Sequence, residues 1–134
     1  MSVRHEAGSV AVEFALVLPI LILLVFGSVE FGLALYNKEV ITNASREGAR
    51  AGIIMSNPSK TATQITNVVK SYLTSAGWDA TKATIAVPDA PCVTGGNLTV
   101  NVRYPYSFMV LPQFIKSFKK NITLSAQTLM KCEL

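Results

Sequence analysis

Few side chains in this sequence have types that do chemistry. There is one histidine, His5, and there are two cysteines, Cys92 and Cys132. A nucleophilic triad needs a histidine beside its nucleophile, and His5 stands alone near the N-terminal end. The cysteines are too widely spaced for a CxxC site, and two of them cannot fill a zinc shell without histidines. There is no phosphate-binding glycine loop, and Asp79 and Asp89 are isolated near turn residues rather than paired. The residue types therefore predict no enzyme, no metal site, no cofactor and no small-molecule substrate. What remains is the chemistry of unmet charge. Glu13 stands at the mouth of a long apolar run and Glu30 stands inside it. A carboxylate near the middle of a bilayer costs roughly 2.5–3.5 kcal/mol, and less near its edge. Each glutamate thus either marks an interface or needs a partner, and the residues alone leave both choices open.

The element that must position them is the run itself. From Phe14 to Val29 there is no charge, and Phe31 to Tyr36 continues the apolar character beyond Glu30. Phe14 to Tyr36 is 23 residues, about 34 Å as a helix, against a hydrocarbon core of about 30 Å. A buried core helix this uniform would need a larger protein around it. A cleaved secretory signal would need a small-x-small site after the run, and none is clean. A membrane span is the expectation. Pro19 removes a backbone donor within it and tends to kink the helix. Arg4 and the α-amino group precede the run, whereas Lys38 and Glu39 cancel after it. The positive-inside rule then places the N-terminus in the cytoplasm and the rest of the chain outside.

The chain has 134 residues, half of them hydrophobic, with 12 Lys+Arg against 8 Asp+Glu. The densest basic cluster, Lys116, Lys119 and Lys120, has no aromatic stacking platform. It reads as a solvated face or a contact with anionic lipid, and no nucleic-acid partner is expected. In an oxidising compartment Cys92 and Cys132 would form a disulfide. Closing a loop of about 40 residues is worth about 4 kcal/mol on the chain-entropy argument. Two unpaired thiols are the alternative.

Past the span, Asn37 to Ile54 continues as helix, with small residues recurring at Ala44, Gly48, Ala51 and Gly52. That stripe suits close packing, on its own domain or on another helix. Asn57-Pro58 is the expected stop. A second helix is expected from about Thr61 to Ala76. Thr61 and Gln64 form a capping box, Ile65, Val68, Val69, Tyr72 and Leu73 make one face, and Gly77 ends it. The period then falls to two in three stretches, led by Ala83-Ile85-Val87, Leu98-Val100-Val102-Tyr104 and Ile122-Leu124-Ala126-Thr128-Met130, which predicts an antiparallel sheet with one buried face. Phe108 to Phe118 is an apolar excursion between the last two strands, set against membrane, partner or sheet. The disulfide would tie the loop before the second strand to the end of the third. The fold class is α+β: a stem helix, a second helix and a small sheet of about three strands.

Gly8-Ser9-Val-Ala-Val-Glu13-Phe14 before a long apolar run resembles the processing signal of type IV pilins and pseudopilins. The segment through Pro19, Glu30-Phe31-Gly32 and Asn43-Ala44-Ser45-Arg46-Glu47-Gly48-Ala49-Arg50 is similar to the TadE-like proteins of the tight-adherence (Flp) pilus system. That resemblance covers about a third of the chain. It implies cleavage between Gly8 and Ser9 by a prepilin peptidase, which makes Glu13 the fifth mature residue. It also implies that Glu13, with Phe14, serves assembly by meeting the new α-amino group of a neighbouring subunit. The implied organisation is a leader over 1–8, a membrane and stem helix over 9–57 and an extracytoplasmic domain over 58–134. The implied function is that of a minor pilin or pseudopilin in a bacterial inner membrane, partnered by other pilin subunits, the pilus assembly machinery and lipid. An uncleaved, single-pass binding subunit of the same machine is the alternative.

Overall fold

The computed structural model describes residues 3–54, 58–117 and 121–133. Its elements are helix α1 (Val3–Ile53), helix α2 (Ala62–Ser75), a 3-10 turn (Ala80–Lys82), strands β1 (Thr84–Ala86) and β2 (Asn97–Ser107), the one-turn helix α3 (Leu111–Phe114) and strand β3 (Asn121–Lys131). This is the expected α+β plan. Contacts group the chain into two units, Met1–Leu33 with Phe108–Lys120, and Ala34–Ser107 with Asn121–Leu134.

In the first unit α1 is long and apolar enough to cross a membrane, and its most apolar window is not buried at all. Phe14, Leu16, Ile20, Leu24 and Val29 are all exposed. A contiguous apolar surface of this extent is unstable in water and marks contact with another apolar phase. Pro19 lies inside the helix without ending it. Within the run the Ser28 hydroxyl donates to the Leu24 carbonyl at 2.8 Å. The segment after β2 belongs to this unit too, beside α1.

The second unit is built on the remainder of α1. Ala44, Ser45, Gly48, Ala49 and Gly52 are buried there. A Cβ placed on Gly48 would collide with Val69, and one on Gly52 would collide with Leu98 and Ile65. The small-residue stripe therefore packs on its own α2 and β2, which decides the choice the sequence left open. Helix α1 ends at Ile53, ahead of the expected Asn57-Pro58 stop, of which Asn57 lies outside the described residues.

Helix α2 starts where its capping box predicts. The Thr61 hydroxyl accepts from the Gln64 N–H, and the Gln64 side chain accepts from the Thr61 N–H at 2.9 Å. Its apolar face buries Ile65, Val69 and Leu73. It stops in a Schellman arrangement, with Trp78 N–H on the Leu73 carbonyl and Gly77 N–H on that of Thr74. Gly77 takes φ +82°, a conformation that side chains with a Cβ rarely adopt.

The sheet has the order β1-β2-β3 and is antiparallel throughout. Its register places Ile85 opposite Val102, Val102 opposite Ala126 and Val100 opposite Thr128. Leu98, Val100 and Val102 are fully buried and join Ile41, Ala44, Ile65, Val69 and Leu73 in one core. Thr128 faces inward with them, and its hydroxyl lies 2.6 Å from that of Ser45 on α1, which donates to the Thr42 carbonyl. Thr99, expected on the outer face, is also buried.

Between α2 and β1, the Asp79 carboxylate accepts from the Thr81 hydroxyl at 2.6 Å and the Thr81 N–H at 3.0 Å. These bonds, the hydroxyl's first, hold its pKa below the usual carboxylate range. Tyr104 donates to the Asp79 carbonyl at 3.2 Å and tilts against Trp78 with ring centroids 4.6 Å apart. Burial, then the nearby Asp79 charge, raises the Tyr104 pKa.

Candidate functional site

Three places hold the residues singled out by sequence. Gly8 and Ser9 lie on an exposed stretch of α1, with nothing within 4 Å of a Cβ placed on Gly8. Glu13 lies one turn further along, four residues after Ser9, a rise of about 6 Å. Glu13 is exposed, and Phe14 beside it is 61% exposed. With Val10, Phe14 and Val17, Glu13 lines a shallow apolar depression on the helix surface. Among the described residues Glu13 has no hydrogen-bond or ion-pair partner. A carboxylate on an otherwise apolar helix surface is costly to leave in hydrocarbon without a partner.

The disulfide is the second place and belongs to the other unit. Cys92, in the loop before β2, is bonded to Cys132, directly after β3. Both residues are buried. Next to the bridge the Cys132 N–H donates to the Gly96 carbonyl at 2.9 Å, so the loop is fastened to β3 through backbone as well as sulfur.

Glu30 forms the third, and its role was not legible in the sequence. It is only 2% exposed, although its helix neighbours Val29 and Phe31 are both more than half exposed. Its carboxylate accepts from the backbone N–H groups of Met109, Val110 and Leu111, with 3.0 Å to Val110 and 2.8 Å to Leu111 for Oε2. These are the donors at the start of α3, whose own N-cap residue, Val110, provides no side-chain cap. Glu30 therefore caps α3 from another helix. One turn earlier on α1, Gly27 lies beside Leu111, whose Cδ2 is 3.8 Å from a Cβ built there. Met109 to Leu111, at the start of the apolar excursion, thus lie on α1. The partners of Glu30 are backbone amides, which no residue type announces, so only its depth within the run hinted that it needed one.

Residues 8–50 match the family model described as TadE-like protein. The matched segment starts at Gly8 and includes Glu13, Pro19, Glu30 and the first two residues of the small-residue stripe, Ala44 and Gly48. Over these residues the chain is similar to TadE-like proteins. Comparison with curated proteins and with solved structures finds no match to the chain.

Proposed function

We propose that this protein is a minor pilin or pseudopilin of a Tad-type pilus, acting by assembly and not by catalysis. The observation that carries the proposal is the contrast between the two glutamates of α1. Glu30 is buried and satisfied within the chain, whereas Glu13 is exposed on an apolar helix and, among the described residues, has no partner. The TadE-like match supports the same reading, because it begins at the glycine that precedes the junction. A prepilin peptidase cuts between Gly8 and Ser9, and the new α-amino cation of one subunit meets the Glu13 carboxylate of its neighbour. The protein resides in the inner membrane with its N-terminus cytoplasmic and the sheet outside, and reaches its partner subunits by lateral association of α1.

The test is the N-terminal mass of the protein purified from cells, together with co-purification of pilus subunits. A chain starting at Ser9 supports the proposal. An intact Met1 favours an uncleaved anchored subunit instead. Removing one member of a buried charge pair costs about 3–5 kcal/mol, so Glu13→Ala is expected to abolish co-purification while leaving membrane insertion intact. Unchanged co-purification would sink the pairing.

A further inference from the structure

We infer that the segment from Phe108 to Lys116 is a second membrane-embedded element, a short re-entrant loop seated in the outer leaflet against α1. The inference rests on α1 being a membrane span with its N-terminus inside. Its starting point is depth. Glu30 lies 16 residues beyond Phe14, about 24 Å along a helix, within a hydrocarbon core of about 30 Å. Three consecutive backbone N–H groups of the segment are bonded to that carboxylate. Whatever phase surrounds Glu30 therefore surrounds Met109, Val110 and Leu111 as well.

The composition and exposure of the segment agree. Met109 is 73% exposed and Ile115 is 40% exposed, and Phe108, Val110, Leu111 and Pro112 are only partly covered. The first charge after the β2 strand is Lys116. Irregular backbone is tolerated at membrane depth only where its polar groups are satisfied, and five of the segment's N–H groups are bonded. Met109, Val110 and Leu111 donate to Glu30. Pro112 has no N–H to satisfy. Gln113 donates to the Val110 carbonyl and Ile115 to that of Leu111, both at 3.0 Å. Glu30 is thus a positioning residue that makes a turn of backbone compatible with lipid, and the loop in return shields a carboxylate from hydrocarbon. The exposed apolar side chains continue the lipid-facing surface of α1, which identifies their occupant as acyl chains.

Full-length protein in phosphatidylcholine–phosphatidylglycerol bilayers containing brominated lipid tests this. Trp78→Phe removes the single tryptophan, and one tryptophan is then introduced at Met109, at Phe26 within the span or at Lys70 on α2. Met109→Trp is expected to lose emission to brominated lipid as strongly as Phe26→Trp and to resist aqueous iodide, whereas Lys70→Trp responds only to iodide. Adding Glu30→Ala should reverse the Met109→Trp response and leave that of Phe26→Trp unchanged. Quenching at Phe26 with an iodide-accessible Met109 would overturn the loop while sparing the span. Met109 shielded from both quenchers would overturn it in favour of a covering protein, such as a second copy. An iodide-accessible Phe26 would remove the membrane reading itself, and the loop with it.

Discussion

At the scale of single residues, position decides what a carboxylate does. Glu13, Glu30 and Asp79 bear the same group and meet three different fates. Asp79 is exposed and serves locally, holding the 3-10 turn through Thr81. Because these bonds favour its charged form, its folded pKa lies below its unfolded value, which is about 3.9. Its contribution to stability is therefore present above that value and lost as pH falls through the folded pKa. Unfolding midpoints measured from pH 5 downward should fall more steeply for the native chain than for Asp79→Asn, and parallel curves would exclude the effect. The spacing of Glu13 from Gly8 and its place at the mouth of the run are local facts of the sequence. Glu30 was only half legible. Its depth showed a need, but the groups that answer it are 79 to 81 residues away and belong to the backbone.

At the scale of elements, periodicity did most of the work. The capping box at Thr61, the i, i+3, i+4 face of α2 and the alternation in β2 and β3 each state a local preference that the packing then uses. The stripe of small residues on α1 was legible as a packing face, yet its partner depended on which surfaces the sheet and α2 left open. At Gly48 two effects oppose each other. Alanine gains about 1 kcal/mol in helix propensity, but its Cβ would be driven into the stiff side chain of Val69, and overpacking costs about 1–3 kcal/mol. Gly48→Ala should therefore lower the urea midpoint of the detergent-solubilised protein by up to about 2 kcal/mol of stability. A more stable variant would show that α1 and α2 can separate freely. The excursion after β2 could not be placed from sequence, since a short apolar stretch pairs equally well with lipid, sheet or helix until a hydrogen-bond acceptor selects one of them.

At the scale of the whole molecule, the small second unit depends on its cross-link. The bridge spans 40 residues, and a loop of that length corresponds to about 4 kcal/mol on the chain-entropy argument, a large share of what a domain of this size retains. Cys92→Ala/Cys132→Ala should lower unfolding stability by about 2–5 kcal/mol and leave insertion of α1 unaffected, as urea titration and carbonate extraction would report. Equal stability with and without the bridge would mean that the core suffices alone.

The separation of Glu30 from its loop also imposes an order in time. Glu30 leaves the ribosome 79 residues ahead of Met109, and at about 5–20 residues per second the interval is roughly 4–16 s. Throughout it, the nascent helix holds a carboxylate whose intended donors have not yet been synthesised. Carbodiimide should accordingly label Glu30 in membrane-inserted chains stalled before Met109 far more than in completed ones, and equal labelling would remove the idea. Translation would then act as a clock for this fold, leaving the young stem briefly open to any passing donor until its own loop arrives.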